Sequence, residues 1–391
     1  MTRWDAQVAV VGLGAWGASA LWRLASRGVD VIGLDRFHPG HPYGASHGGS
    51  RMFRLTCLEH PGLVPLARAS LDLWRALEAA SGQELLWQTG GLLIGPPTGS
   101  VAGGTVRAAN LHGIAVEEIS VHERFPRHAG VPAGHIGVWE PSAGIIRPEA
   151  AVLAAVSVAS SLGAEVYADS GVSALVPIDD GVEVRTPVRT LRVRQAVVAV
   201  GSWLPSLVPG LPLRVLRMPI TWYRPVADGF TLAEFPVFMR ERDNGLILWG
   251  NGSEGGYDVK LGLENTPGTP PELDPLTDDR SVGPADWSAL SAELATAVPG
   301  LEPLPAKVAV CMWTRTPDGQ FVLGRPGGDP RLIVAGGCNA HGFKHASGIG
   351  EVLARMVLGE EQLCDLSFTD PNRFGGLDGL AGDLIVASET T

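Results

Sequence analysis

The stretch Gln7–Gly17, with the sequence QVAVVGLGAWG, decides the fold. Its apolar start, Gln7–Val11, is typical of a parallel strand that is buried on both faces. Helical spacing follows over residues 18–27, and a second short apolar strand over residues 29–34 closes on Asp35. The order of strand, glycine-rich turn, helix and strand predicts one βαβ unit, which opens an α/β fold.

The glycine-rich turn predicts a dinucleotide site. Gly12 permits the tight turn, and Gly14 lets the backbone approach a pyrophosphate at the helix N-terminus. Gly17 allows the helix to pack closely on the strand, and Asp35 can accept hydrogen bonds from a ribose. The alternative is a coincidental turn in a glycine-rich chain, and the motif does not separate NAD from FAD.

Composition restricts the class of protein. The 391 residues include 45% hydrophobic and only 18% charged residues, which argues against disorder. The net charge of −11, without a basic run, excludes broad nucleic-acid binding and adhesion to an anionic membrane. The four scattered cysteines form no CxxC pair, so we expect a reducing compartment, the cytoplasm. We expect neither a membrane span nor a metal site.

Seven segments beyond the glycine-rich turn carry further motifs. They are HGGSRMFR at residues 47–54, Glu59 with VPLA at 64–67, EPSAG at 140–144, VGSW at 200–203, VKLG at 259–262, VCMWT at 310–314, and HGFK with SGIGE at 341–351. In this order they resemble the monomeric sarcosine oxidase and N-methyltryptophan oxidase family. These proteins are flavoprotein amine oxidases of the D-amino-acid-oxidase superfamily.

The resemblance implies FAD and two interleaved domains. A Rossmann-type FAD-binding domain would comprise residues 1–85, 140–212 and 308–391. An antiparallel-sheet substrate domain would comprise residues 86–139 and 213–307, in agreement with the strand-rich middle of the sequence. The partners implied are a small-molecule amino or imino acid and O2, and the protein would be a monomer or a weak homo-oligomer.

The same resemblance implies which cations carry the chemistry. Arg54 and Lys344 match the family's two ligands of the substrate carboxylate, and a guanidinium suits a carboxylate because it binds in a bidentate manner. Lys260 matches the lysine that assists oxygen reduction, and Arg51 matches a second cation near the flavin. The alternatives are a surface ion pair for Arg54, a solvated residue before a helix for Lys344, and a strand-end surface lysine for Lys260.

Cys311 is implied to carry the flavin through a thioether bond. Without the surrounding VCMWT it would be interpreted as a buried, inert thiol. Gly342 and Phe343, with Lys344, precede a helix predicted from Ala346. The amides of that helix would stabilise negative charge on the flavin, and an ordinary loop is the alternative.

Further residues are expected in the substrate pocket. Glu59 and Cys57 belong to the loop after Arg54. Trp313 stands where the family often has tyrosine, either as a pocket wall or as core. Glu264 stands where sarcosine-type members have a histidine, four residues after the lysine. We hypothesise that Glu264 binds or deprotonates a substrate nitrogen, and the alternative is that it points to solvent.

The resemblance implies an FAD-dependent oxidase of the C–N bond of a small or medium amino or imino acid, giving an imine and H2O2. The alternative is an imino-acid desaturating or aromatising oxidase of secondary metabolism that resembles piperideine carboxylate oxidase, which Glu264 and Trp313 favour. A third possibility is a flavin-binding or partner-binding protein without turnover, against which the retained Arg54, Lys260 and Lys344 argue. An NAD-dependent dehydrogenase is the least favoured reading.

Overall fold

The computed structural model describes residues 4–255, 258–265 and 272–375. The strands in these segments are, in chain order, β1 (Ala6–Val11), β2 (Val31–Leu34), β3 (Arg51–Phe53), β4 (Leu86–Trp87), β5 (Gly91–Gly95), β6 (Glu117–Ile119), β7 (Ile136–Glu140), β8 (Gly144–Ile146), β9 (Glu165–Tyr167), β10 (Ala174–Ile178), β11 (Gly181–Arg185), β12 (Thr190–Val198), β13 (Arg214–Tyr223), β14 (Val237–Glu241), β15 (Ile247–Asn251), β16 (Val259–Glu264), β17 (Lys307–Arg315), β18 (Val322–Gly324) and β19 (Leu332–Gly336). The α-helices are α1 (Ala15–Ala25), α2 (Leu63–Ser81), α3 (Ala102–His112), α4 (Val121–Arg124), α5 (Pro148–Ser161), α6 (Leu204–Leu207), α7 (Ser288–Ala297) and α8 (Ala346–Leu358).

The first sheet is built around β1. β1 pairs in parallel with β2 on one side and with β12 on the other, and β9 and β19 extend the parallel core. The side chains of β1 alternate, as a strand buried on both faces requires: Val8 and Val10 pack with the helices, whereas Ala9 and Val11 face the opposite core. This confirms the predicted βαβ unit and the α/β fold class.

Helix α8 is held close to α1. A Cβ atom at Gly350 would lie 2.5 Å from the backbone carbon of Ser19, so only glycine permits this approach. The Glu351 carboxylate accepts hydrogen bonds from Arg23 at 2.8 Å and from Arg355 at 2.7 Å. Because α1 begins at the glycine-rich turn, this packing places the N-terminal ends of the two helices near one another.

The second sheet is mostly antiparallel, in the order β17-β13-β16-β15-β14-β5-β7-β6. Only β14 and β5 run in parallel. The boundary predicted at residue 308 is wrong for β17, which pairs with β13 from Lys307 to Arg315 and so belongs to this sheet. An apolar strand carries no signal that shows which of two sheets it will join, and the division into two domains otherwise stays a prediction.

No helix within residues 4–255, 258–265 and 272–375 is long and apolar enough to cross a membrane. The same segments contain no group of three or more histidine, cysteine, aspartate or glutamate residues that could hold a metal ion.

Candidate active site

A cavity of about 760 Å³ is lined by residues of both large sheets. The glycine-rich turn and Asp35 line one part of it. Lys260 and Cys311 line another part, and Arg54 and Lys344 line a third. The fold therefore brings together residues that are up to 333 positions apart in sequence, from Val11 to Lys344.

The glycine-rich turn is as tight as the sequence predicts. Gly12 has a φ of +89°, and a Cβ atom there would lie 2.7 Å from the carbonyl oxygen of Ala199. A Cβ atom at Gly17 would overlap the carbonyl oxygen of Gly12. Gly17 does not line the cavity, so it contributes by letting α1 approach the turn rather than by touching a ligand.

Asp35 holds this turn in place while it faces the cavity. Its carboxylate accepts hydrogen bonds from the backbone N–H groups of Leu13, at 2.6 Å, and of Phe37, at 2.9 Å. Burial raises the pKa of Asp35, and the two N–H groups and His41 oppose that rise. Each carboxylate oxygen retains acceptor capacity for a ribose hydroxyl.

The residues present fit the pyrophosphate of a dinucleotide. Gly14 is the N-cap of α1, and the first turn of that helix contains no acidic side chain. The N–H groups of a first helical turn have no partner within the helix, and the helix dipole favours an anion there. The N-terminus of α1 therefore forms an anion-binding site in the cavity wall, at the glycine-rich turn where the sequence predicts one.

The predicted carboxylate ligands lie side by side. Arg54 and Lys344 are each 3% exposed, and both contact Glu59. Nη2 of Arg54 lies 2.5 Å from Oε1 of Glu59, and Nζ of Lys344 lies 3.5 Å from both carboxylate oxygens. Burial opposes ionisation of Glu59, but the charges of Arg54 and Lys344 hold its pKa well below the ordinary range. Burial likewise lowers the pKa of Lys344, and Glu59 opposes that shift.

Buried groups around these residues fix the backbone that carries them. The Glu140 carboxylate accepts hydrogen bonds from the N–H of Leu55, at 2.6 Å, and from the hydroxyl of Thr56. The indole N–H of Trp74 donates to the carbonyl oxygen of Lys344 at 3.0 Å. Glu140 belongs to the EPSAG motif, and its contacts explain why an acid is needed there.

The loop before α8 is held in the same manner. The indole N–H of Trp16 donates to the carbonyl oxygen of Gly342 at 3.0 Å. A Cβ atom at Gly342 would lie 2.6 Å from the same indole ring, so glycine is required. Gly342, Phe343 and Lys344 all line the cavity, and α8 begins at Ala346 as predicted.

Lys260 is a buried lysine and not a surface one. It is 5% exposed, and Nζ donates to the carbonyl oxygen of Ser50 at 2.5 Å. Within the described segments no carboxylate lies within 4.0 Å of Nζ, the limit for an ion pair. Burial and the charge of Arg51 hold the pKa of Lys260 well below its ordinary value.

Arg51 and Cys311 lie next to Lys260. Nη2 of Arg51 donates to the carbonyl oxygen of Ala45 at 2.9 Å and lies 3.7 Å from Sγ of Cys311. Burial raises the pKa of the Cys311 thiol, and the charge of Arg51 opposes that rise. Cys311 therefore combines the buried thiol expected of a core residue with a neighbouring cation and a place in the cavity wall.

Glu264 lines the cavity and does not point to bulk solvent. Burial raises its pKa to about 7, and the negative charge of Glu59 adds to this rise. Trp313 lines the cavity as well, in the wall formed by β17. The prediction that Cys57 lines the pocket is wrong. The chain presents Leu58 and Glu59 to the cavity, whereas Cys57 is 2% exposed, with Sγ 3.9 Å from Nε2 of His345.

Sequence reasoning missed two supports of the site. Glu149, at the start of α5, accepts a hydrogen bond from the N–H of Gly48 at 2.6 Å. It shapes the HGGS turn, in which Gly48 and Gly49 both have positive φ. Ser46 accepts a hydrogen bond from the N–H of Ala15 at 3.0 Å and so caps α1 from a distant loop. Neither contact leaves a local pattern, because both partners are far apart in sequence.

Sequence reasoning also missed an apolar wall of the cavity. Met52, Met239, Ile247 and Trp249 line it, from strands β3, β14 and β15. The alternation along β15 predicts that Ile247 and Trp249 share one face. The sequence does not show which face meets Lys260, because that depends on how β15 pairs with β16.

The lysines of the chain are concentrated at this cavity. The sequence contains only Lys260, Lys307 and Lys344. Two of these three line the cavity, and both are buried. Arginine supplies all the other side-chain positive charge except that of Lys307, so lysine is found mainly at this cavity.

The chain is similar to known flavoproteins over nearly its full length. Residues 7–356 match the DAO family model, described as FAD dependent oxidoreductase. Monomeric sarcosine oxidase of Streptomyces avermitilis is 31% identical over 381 residues, covering 94% of this chain and 97% of the relative. N-methyl-L-tryptophan oxidase of Citrobacter koseri is 30% identical over 374 residues, covering 93% and 98%.

The fold is also similar to that of a solved structure. NikD, described as an unusual amino acid oxidase essential for nikkomycin biosynthesis, superposes in its open form with a TM-score of 0.82 at 26% identity. The match covers 94% of this chain and 98% of NikD.

Proposed function

Because the chain belongs to the DAO family of FAD-dependent oxidoreductases, we propose that it oxidises the C–N bond of a small or medium amino or imino acid, giving an imine and hydrogen peroxide. The observation that carries this proposal is the buried pair Arg54 and Lys344 at a cavity that also contains the dinucleotide turn. In the structure the Glu59 carboxylate pairs with both cations, so the pair can bind a carboxylate, and a substrate carboxylate is an anion of the same kind.

FAD, when bound, would accept two electrons from the substrate and pass them to O2. Gly12, Gly14 and the N-terminal N–H groups of α1 would hold its pyrophosphate, and Asp35 would hold a ribose. The backbone of Gly342 and Phe343, fixed before α8, would stabilise negative charge at the other end of the cofactor.

Arg54 and Lys344 bind and orient the substrate carboxylate in this proposal. Arg54 provides a planar guanidinium and Lys344 a second donor. Glu59 already occupies both cations at 2.5 and 3.5 Å, so the substrate must displace or share it. Glu59 thereby keeps the two cations paired while no substrate is present.

Glu264 takes a proton from the substrate nitrogen. An ammonium group has no free electron pair, so the amine must be neutral before its C–N bond can be oxidised. A carboxyl group with a pKa of about 7 is suited to this transfer near neutral pH. Its place in the cavity wall, near Glu59 and Arg54, supports the assignment.

Lys260 and Arg51 stabilise negative charge as O2 accepts electrons. Lys260 is buried and within the described residues has no carboxylate partner that would cancel its charge. A preorganised cation in a water-poor site is worth more than the same cation in solvent. Its lowered pKa would also let it hold or release a proton at Nζ during peroxide formation.

Cys311 would hold FAD through a thioether bond. The Arg51 guanidinium, 3.7 Å from Sγ, opposes the effect of burial on the thiol and would favour its ionised form. The bond would require a two-electron oxidant, and O2, the electron acceptor of the proposed oxidase, would supply it. A covalent bond would prevent loss of the cofactor.

The test of this function uses the purified protein and a panel of primary, secondary and cyclic amino acids. We expect anaerobic bleaching of a bound flavin by at least one carboxylate-bearing amine, and one H2O2 per imine on admission of air. A flavoprotein that no member of the panel bleaches would contradict the proposal. The matched variant Arg54→Met should lose about 2–5 kcal/mol of transition-state binding, whereas Arg68→Met, on the surface, should not.

A second candidate is an imino-acid desaturating or aromatising oxidase. Glu264 and Trp313 in the cavity wall favour it, since they would hold the nitrogen and the face of a flat cyclic substrate. Product mass separates the two functions. A cyclic imino acid that loses two hydrogens supports simple oxidation, and one that loses four supports the second candidate.

We also infer a cytoplasmic enzyme that is a monomer or a weak homo-oligomer. The four cysteines are all free, as expected in a reducing compartment. Cell fractionation and light scattering of the purified protein test both statements.

A further inference from the structure

We propose that the substrate carries a bulky apolar side chain that packs against Met52, Met239, Ile247 and Trp249. This inference rests on the proposed function and names the size class of its substrate. The four residues form what we call the apolar wall of the cavity.

The apolar wall packs on a buried hydrophobic cluster with one side and faces the cavity with the other. Met52, Met239 and Ile247 pack against the buried cluster of Leu93, Val101, Ala102 and Val138, yet they are themselves only half-buried. Incompletely buried apolar side chains that line a closed pocket gain free energy when a ligand covers them. Two of them are methionines, which adapt to ligands of irregular shape.

Trp249 extends this wall across a neighbouring strand. The register places Met239, Trp249 and Gly262 in one cross-strand row of β14, β15 and β16. A Cβ atom at Gly262 would overlap the Trp249 indole, so the ring lies over the glycine. Since Lys260 and Glu264 stand two residues on either side of Gly262, the indole lies between the two polar groups of the strand.

The wall is free of charge where the ligand would lie. The residues that β14 and β15 contribute to the cavity are Val237, Phe238, Met239, Ile247, Trp249, Gly250 and Asn251, none of which is ionisable. The nearest ionisable group on the next strand is Glu264, directly opposite Ile247. A substrate whose nitrogen meets Glu264 therefore has an apolar surface beside that nitrogen.

The experiment measures kcat/KM of the holoenzyme for N-methylglycine and for both enantiomers of N-methylalanine, N-methylleucine and N-methylphenylalanine, with N-methylaspartate as a charged member. We expect kcat/KM to rise by about tenfold or more from N-methylglycine to the best apolar member. The inference would be overturned if N-methylglycine were the best substrate. It would also be overturned if N-methylaspartate were the best, with its side-chain carboxylate bound by Arg107 at the cavity. Either result would leave the oxidase function intact. No flavin reduction by any member would instead contradict the function.

A pair of variants separates pocket size from general damage. Met239→Trp should fill the space and lower kcat/KM for the larger members by about tenfold more than it lowers kcat/KM for N-methylglycine. Trp287→Phe, at the start of α7 and outside the cavity, serves as the control. If Met239→Trp lowered kcat/KM equally for the small and the large members, the inference would be overturned. The flavin content of the variant shows whether it is folded.

Discussion

The carboxylate of Glu59 lies 2.5 Å from Nη2 of Arg54 and 3.5 Å from Nζ of Lys344, so one internal anion pairs with both cations that we assign to the substrate. All three groups line one cavity. Buried cations left unpaired would be unstable, which gives Glu59 a role before the substrate arrives. The same contacts make it a competitor of the substrate carboxylate.

Replacing Glu59 should therefore weaken the protein and strengthen ligand binding. In Glu59→Gln we expect the free energy of unfolding to fall by about 3 kcal/mol, because two buried cations lose their partner. We expect a simple carboxylate such as acetate to bind more tightly and to restore much of the loss. Thermal unfolding with and without acetate measures both effects. Glu118→Gln, an exposed residue of β6, is the control, and a variant that acetate does not stabilise would contradict the assignment.

Glu264 should give the reaction a pH dependence near neutrality. Burial, reinforced by the charge of Glu59, raises its pKa to about 7. If ionised Glu264 accepts the substrate proton, kcat/KM rises as the pH increases through about 7. In Glu264→Gln, kcat/KM should no longer rise through this pH range, and its value at pH 8 should be about 100-fold lower than in the parent protein. An unchanged pH profile in the variant would contradict the role of Glu264 as base.

The same pKa shift predicts the sign of a stability change. The folded chain keeps the Glu264 proton up to about pH 7, whereas the unfolded chain loses it near the ordinary value of 4.5. The folded state thus binds more protons between these values, so this group lowers the free energy of unfolding as the pH rises through the window. Denaturant unfolding measures the free energy of unfolding at pH 5 and at pH 8. Its decrease between these two pH values should be smaller in Glu264→Gln than in the parent protein. An equal decrease in the parent protein and in Glu264→Gln would mean that the carboxyl is already ionised in the folded state at pH 5.

Lys260 should affect the oxygen reaction and not substrate oxidation. In Lys260→Met we expect reoxidation by O2 to slow by about 100-fold or more, with anaerobic reduction nearly unchanged. Stopped-flow measurement of both half-reactions checks this, with Lys307→Met as control.

The protonation of Lys260 can be measured separately. Because the chain has only three lysines, lysine labelled with ¹³C at Cε should give three assignable signals. The Lys260 signal should titrate well below the ordinary lysine range, and an ordinary titration would contradict a buried Nζ.

Cys311 should determine whether FAD stays with the denatured chain. The intact mass of the denatured protein should exceed that of the polypeptide by one FAD, located on the peptide that contains Cys311. Cys311→Ser should bind FAD that is released on denaturation, whereas Cys364→Ser, outside the cavity, should keep the added mass. A parent protein that releases all its FAD would disprove the covalent bond without affecting the oxidase proposal.

The sequence by itself determined the nucleotide-binding unit. Gln7–Gly17 and Asp35 specify a strand, a turn and a helix through local rules, since buried strands are apolar and tight turns need glycine. The helix from Ala346 to Leu358 follows equally from local spacing. The family motifs also predicted that Arg54, Lys260, Cys311 and Lys344 belong to one site, and all four line the cavity.

Only the tertiary structure decided how these residues meet. The pairing of β17 with β13, the Glu59 bridge and the inward position of Cys57 depend on strand register and on chain direction after Arg54, which leave no periodic signal. The apolar wall depends on the register that places Trp249 over Gly262. Local sequence fixes which conformations a segment favours, whereas register and side-chain contact are set by burial between segments that are distant in the chain.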